Sequence, residues 1–184
     1  MKQFIIIPFL FFSLQSVCQQ TAGQELIMVN LDSLTRAEQI KRIGKPFPEF
    51  NTFFQDKAFT NQNLAGKIVF INFWFASCAP CIAEFDALNE LYEKLKNKSG
   101  FEFISFTYES PDTVKEIIEK YSIKYKVITM SQKDIYRLAN GFPTSVVLDK
   151  NGSVIFLKGG GSSHKEIARN IVFSEFYPKL LSVL

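Results

Sequence analysis

Lys67-Ile-Val-Phe-Ile-Asn-Phe-Trp-Phe-Ala-Ser-Cys78-Ala-Pro-Cys81-Ile-Ala-Glu84-Phe85 joins an apolar run to two cysteines and then to a helical pattern. Ile68 to Phe75 is apolar except for Asn72 and is rich in β-branched and aromatic residues, which predicts a central strand covered on both faces. From Cys81 the period becomes helical. Phe85, Leu88, Leu91 and Leu95 recur on one face, while Glu84, Asp86, Glu90, Glu93, Lys94 and Lys96 fall mostly off it. The cysteines therefore stand where a strand hands over to a helix.

A helix N-terminus presents free N–H groups and the positive end of the helix dipole, and both favour an anion such as a thiolate. Cys78, the outer cysteine, is expected to be the more acidic. Two intervening residues bring the sulfurs within disulfide range once Cys81 lies in the first turn, where Pro80 is tolerated because its missing N–H has no intrahelical partner. A disulfide across so short a loop constrains the unfolded chain very little, which argues against a structural staple. A single CxxC with one distant histidine, His164, supplies too few ligands for a closed zinc site. Redox chemistry is the reading that remains.

The chain of 184 residues is 47% hydrophobic and 15% aromatic, enough for one domain with a full core. Its net charge of +3 is spread without a basic run, so nothing supports nucleic-acid binding or a polybasic membrane patch. Residues 1–18 read as a signal peptide: Lys2 supplies the positive start, Phe4 to Leu14 the apolar run, and Ser16-Val17-Cys18 the small residues before cleavage. That run is shorter than a membrane-spanning helix requires. Cys18 either leaves with the peptide or becomes the lipidated N-terminus of a lipoprotein; Gln15 and Val17 fit the second pattern poorly.

Residues 19–43 read as an N-terminal extension, with Asp32 or Ser33 capping a short helix that Gly44 ends. Residues 44–184 read as one domain. Phe50 to Phe54 and Lys57 to Thr60 predict a hairpin around Gln55-Asp56, followed by a helical turn from Asn61. After the cysteine helix come strands at Phe101 to Thr107 and Lys126 to Met130. Helices start near Ser110-Pro111 and at Asp134, giving a β-α-β-α-β-α order. Asn140-Gly141-Phe142-Pro143-Thr144 leads into a strand over Ser145 to Asp149, and Lys150-Asn151-Gly152 turns it into Val154 to Lys158. Gly159 to Ser163 reads as a flexible loop, and His164 to Leu184 as a helix broken near Tyr177-Pro178. Glu109 reads as a solvated loop acid and His164 as a helix-start or surface residue.

A CxxC between strand and helix, followed by a proline leading into a β-hairpin and a final helix, resembles the thioredoxin fold: α/β, a central mixed β-sheet flanked by helices, here with an N-terminal β-hairpin extension. Asn72-Phe73-Trp74, Cys78-Ala79-Pro80-Cys81, Glu84-Phe85, the entry from Gly44 to Phe50 and Gly141-Phe142-Pro143-Thr144 are similar to the exported TlpA/ResA-like thioredoxins. The likeness covers Gly44 to Ile171.

The resemblance implies that Pro143 is a cis-proline facing a redox-active Cys78–Cys81 disulfide, which takes the place of any cofactor. Phe142 is expected to offer its backbone edge to substrate sulfur and Thr144 to border the substrate; Trp74 and Phe75 read as packing residues rather than substrate contacts, with Trp74 alternatively flanking the substrate pocket. Glu84, one turn beyond Cys81, is the expected proton acceptor for that thiol, since a desolvated carboxylate has a raised pKa. Asn72 occupies the position of a buried aspartate in cytoplasmic thioredoxins and cannot take a proton. Ser77 replaces a common tryptophan, and Ala79 alters the surroundings of the Cys78 sulfur. Dithiol potentials on this fold span more than ~100 mV, so the dipeptide does not set the direction of electron flow. The implied function is an exported, monomeric thiol:disulfide oxidoreductase that reduces protein disulfides, draws electrons from a membrane-linked donor and serves cytochrome c maturation. The alternatives are a thiol peroxidase, disfavoured by Phe75 where peroxiredoxins carry threonine, and a non-enzymatic binding or copper-handling module resting on the CxxC and His164.

Overall fold

The computed structural model describes residues 36–139 and 141–184, of which Glu38–Leu184 form one compact unit. The leader, Cys18, the Asp32 or Ser33 cap and Asn140 lie outside the described residues. Residues 36–42 are helical, ahead of Gly44 at φ 78°. Strands β1 (Asn51–Phe54) and β2 (Lys57–Thr60) form the expected hairpin, with Gln55 and Asp56 both at positive φ, as a tight two-residue turn requires. The Thr52 hydroxyl donates to the Thr129 carbonyl at 2.8 Å, tying the hairpin to the main sheet.

That sheet has the order β5-β4-β3-β6-β7, with β3 (Ile68–Phe73) at its centre. Strands β4 (Phe101–Thr107) and β5 (Lys126–Thr129) run parallel to it; β6 (Thr144–Leu148) pairs antiparallel with β3, and β7 (Val154–Gly159) pairs antiparallel with β6. Helices α1 (Ala79–Leu95) and α2 (Pro111–Tyr121) form the parallel crossovers, and α3 (Gln132–Leu138) follows β5. The chain ends in α4 (Lys165–Ile171), a π-helical stretch (Val172–Phe176) and α5 (Tyr177–Leu181). This is the mixed sheet flanked by helices that the sequence implies.

The uninterrupted apolar run of β3 has a physical cause in the two cores. Ile68 and Phe70 point into one core with α1 and the C-terminal helices, whereas Val69, Ile71 and Phe73 point into the other with Phe50, Phe106 and Ile135. On α1, Phe85, Leu88, Leu91 and Leu95 are fully buried, as their spacing predicts. Of the boundaries that differ from expectation, three follow from a side-chain contact. β3 ends at Phe73 rather than Phe75 because the Ala76 N–H turns to the Glu109 carboxylate. α1 starts at Ala79, with Cys78 as its cap. Ser131, whose side chain accepts from the Asp134 N–H, starts α3 two residues early.

The first part of the loop after β7 is held rather than free: Gly159 closes the β6–β7 ladder opposite Thr144, and the Gly160 N–H donates to the Pro143 carbonyl at 2.8 Å. Phe70 joins sheet to C-terminal helices, its ring lying edge-on to Phe103 at 4.7 Å and to Phe176 at 5.3 Å. A Phe70→Ala variant is expected to lose about 3–5 kcal/mol of unfolding free energy in a urea titration, the usual cost of emptying a fully buried aromatic site.

Candidate active site

Backbone pairing sets the frame of the site. Phe73 at the end of β3 lies opposite Thr144 at the start of β6, so Phe142-Pro143 stands beside the segment that leaves β3 toward Cys78. The Phe142–Pro143 peptide is cis. Cys78 and Cys81 are joined in a disulfide with Cα atoms 5.2 Å apart, and both are buried while Ser77 and Ala79 are exposed. Cys78 caps α1: its Sγ accepts the Cys81 N–H at 3.2 Å, and its own N–H is spent on the Phe75 carbonyl at 3.1 Å. A sulfur that accepts a backbone N–H at a helix start is placed to carry negative charge once the disulfide opens.

Glu84 departs from the polar-face expectation. It is only 2% exposed, on the same side of the helix as Cys81 one turn earlier, and its Oε2 has no hydrogen-bond partner. Burial pushes its carboxyl up from the ordinary 4.5 to about 8, against the opposing pull of the Lys158 charge. Lys158 itself is shared with Glu175 on the C-terminal π-helical stretch at 2.9 Å. Gly161 presses on the same carboxyl: a β-carbon there would lie 2.8 Å from Glu84 Oε1 and 2.8 Å from Pro143 Cγ. Only glycine lets the loop close over the acid and the cis-proline together. The Gly161 backbone, Pro143 and Glu84 thus form one contact on the Cys81 side of the disulfide.

Burial removes Thr144 and the pocket-flanking alternative for Trp74 from the substrate neighbours. Trp74 is fully buried with its ring edge-on to Phe85 at 5.4 Å, so it packs the core beneath the cysteines. Thr144 is fully buried between Phe73 and Gly159 in the sheet, and its hydroxyl donates to the Gly141 carbonyl at 2.8 Å, which leaves nothing for substrate. Phe142 is half-buried and accessible at the edge of the site. Asn72 is buried, with its amide donating to the Ser145 hydroxyl at 3.1 Å. His164 is an exposed residue ahead of α4 and makes no side-chain cap bond. Among the described residues no cluster of three or more His, Cys, Asp or Glu could hold a metal ion.

Glu109 is the residue whose part the sequence hides. Instead of standing in solvent, its Oε1 accepts the Ala76 N–H at 2.7 Å and so fixes the bend that carries the chain from β3 to Cys78. Its place just past the C-terminal end of β4, where sites in open α/β sheets gather, is the one signal that could have found it.

The raised carboxyl of Glu84 has a thermodynamic consequence. An acid that holds its proton more tightly folded than unfolded stabilises the fold fully below the unfolded pKa, and this contribution is lost as pH rises through the folded pKa. Between pH 4.5 and about 8 the oxidised protein is expected to lose stability with a slope of up to about 1.4 kcal/mol per pH unit from this group. Urea titrations across that range should show the slope in the wild type and its absence in Glu84→Gln. A Gly161→Ala variant is expected to cost about 1–3 kcal/mol by overpacking against Pro143, measured the same way at one pH.

Comparison with known proteins agrees with this geometry. The family model described as the AhpC/TSA family matches residues 43–157. The Thiol-disulfide oxidoreductase ResA of Bacillus thuringiensis (strain Al Hakam) is 40% identical over 118 residues, covering 62% of this chain and 68% of that protein. ResA of Geobacillus kaustophilus (strain HTA426) is 31% identical over 133 residues, covering 70% and 76%. A solved thiol:disulfide interchange protein of the thioredoxin family, from Chlorobium tepidum TLS, superposes with a TM-score of 0.55 at 27% identity over 70% of this chain and 94% of that one. With the family model spanning more than half its length and the cysteine pair, cis-proline and buried acid in one place, the chain belongs to the AhpC/TSA family of thioredoxin-fold proteins.

Proposed function

We propose that this protein is an exported thiol:disulfide oxidoreductase that reduces disulfides in protein substrates. The observation that carries it is the buried Glu84 carboxyl next to the Cys78–Cys81 pair, with a pKa of about 8. An acid–base group is most useful when its pKa lies near the working pH, because it then takes and returns a proton with little cost.

In the forward reaction the Cys78 thiolate attacks one sulfur of the substrate disulfide, forming a mixed disulfide and releasing the other substrate sulfur as a thiolate. Cys81 then gives its proton to the Glu84 carboxylate and attacks Cys78 Sγ. The second substrate thiolate leaves, and the enzyme is left with the Cys78–Cys81 disulfide. Two electrons pass from enzyme to substrate, and the neutral acid left behind is the form that burial favours. Pro143 and the Phe142 backbone bound the space above the disulfide where substrate sulfur arrives. The leader over residues 1–18 supports action on the periplasmic side of a membrane, with Cys18 either removed or lipidated and a membrane-linked dithiol restoring the reduced form. Apocytochrome c is the first substrate class to test, on the strength of the resemblance to TlpA/ResA-like proteins.

Phe75 stands three residues before Cys78 with its ring in an aromatic contact to Tyr108, so that position offers no hydroxyl to a peroxide. A Cys81→Ala variant is expected to accumulate mixed disulfides through Cys78, visible by non-reducing electrophoresis and mass spectrometry. A Cys78→Ala variant should accumulate none. An absence of trapped partner together with no exchange against insulin or dithiothreitol would overturn the proposal, and peroxide consumption as fast as disulfide exchange would replace it with peroxidase chemistry.

A further inference from the structure

Four aromatic side chains from four separate segments meet beside the disulfide. Phe75 follows β3, Tyr108 follows β4, Tyr136 lies on α3 and Phe142 precedes the cis-proline. Phe75, Tyr108 and Tyr136 form a row of near-parallel rings, at 5.9 Å and 17° for the first pair and 6.3 Å and 23° for the second. Phe142 sets its ring edge-on to all three, at 5.0, 6.0 and 5.7 Å. The row rises from half-buried Phe75 to Tyr136, which is 54% exposed.

Core packing accounts for the inner rings, since Phe75, Tyr108 and Phe142 pack against the two cores, but not for Tyr136. The sheet is already covered on both faces, and Tyr136 gains little from burial where it stands. The row is instead continuous with the reacting atoms at both ends of the site: the Phe75 carbonyl holds the Cys78 N–H at 3.1 Å, and Phe142 is bonded to Pro143. Phe75 lies three residues before Cys78 and Phe142 adjoins the cis-proline, so a polypeptide held by a mixed disulfide to Cys78 leaves from the inner end of the row. The charges around it favour a neutral occupant. Lys133 lies one turn before Tyr136 on the same helix face, Arg137 is paired with Asp134 at 3.4 Å, and the Glu109 carboxylate is engaged by Ala76. A substrate cation attracted to the ring faces meets Lys133, and a substrate anion meets the negative faces of the rings.

Building on the oxidoreductase reading, we propose that the Phe75–Tyr108–Tyr136 row, braced by Phe142, is a specificity platform that takes an aromatic side chain adjacent to the substrate's reacting cysteine. An incoming ring packs against the exposed part of the row, and the platform acts by raising the population of correctly placed substrate rather than by changing the sulfur chemistry.

The test uses disulfide-linked dimers of Gly-Xaa-Cys-Gly and Gly-Cys-Xaa-Gly, with Phe, Leu, Ala or Arg as the variable residue. Their reduction by the full-length protein, reduced beforehand, is followed by quenched chromatography. The phenylalanine dimer is expected to react about threefold to tenfold faster than the alanine dimer, the range that aromatic pairing energies give. That ratio should fall to about one in Tyr136→Ala and persist in Tyr136→Phe, which keeps the ring and loses only the hydroxyl. An unchanged ratio in Tyr136→Ala would overturn the platform, as would leucine or arginine matching phenylalanine in the wild type. Bis(2-hydroxyethyl) disulfide, too small to reach the row, separates the two levels of the argument. A wild type inert toward it overturns the oxidoreductase reading along with the platform, whereas a wild type active toward it but indifferent to the peptide residue overturns the platform alone.

Discussion

The pairing of β3 with β6 is the constraint on which the site depends. One antiparallel register, Phe73 opposite Thr144, places a helix N-terminus and a cis-proline side by side although they are far apart in the chain. Slipping that register by one residue would turn every side chain of β6 to the other face and carry Pro143 away from the cysteines. The register is secured by burial on both sides, because β3 contributes alternate residues to two separate cores and neither tolerates its neighbour's set. The adjoining Asn72–Ser145 hydrogen bond satisfies the one polar donor that the buried strand would otherwise strand.

Much of this was legible in the residues. The change from an apolar run to a helical period at the cysteines located the site. The Asn151-Gly152 turn located the β6–β7 hairpin, and Ser110-Pro111 located the start of α2. These signals are local: each depends on a backbone preference or a side-chain period that neighbouring residues alone determine. The roles of Thr144 and Glu109 were not legible, because each turns on what a distant segment does. Thr144 is enclosed by strands on both sides, and Glu109 meets the Ala76 N–H from across the sheet edge. Glu84 lies between the two cases. Its spacing from Cys81 and a family likeness mark it, but helical periodicity places it among the solvated residues, and only the glycine loop and Pro143 explain why it is buried.

The C-terminal helices are tied to α1 by ion pairs on the surface, Lys165 with Asp86 and Arg169 with both carboxylate oxygens of Glu90. Exposed pairs of this kind contribute little each to stability. Beneath them Phe176 and Leu180 are fully buried, so apolar contact rather than charge holds the C-terminal segment against the sheet.

The closure of Gly161 over Glu84 and Pro143 also bears on the order in which the protein becomes chemically competent. The cysteines leave the ribosome well before the glycine loop does, yet the enclosure that separates the acid from water is completed only when β7 has joined the sheet and the loop has come down. Until then the dithiol has an ordinary solvated carboxylate for a neighbour. The same short glycine segment that ends the last strand therefore makes maturity of the fold a condition for the enclosure of Glu84, so an immature chain carries the thiols beside a solvated carboxylate rather than a buried one.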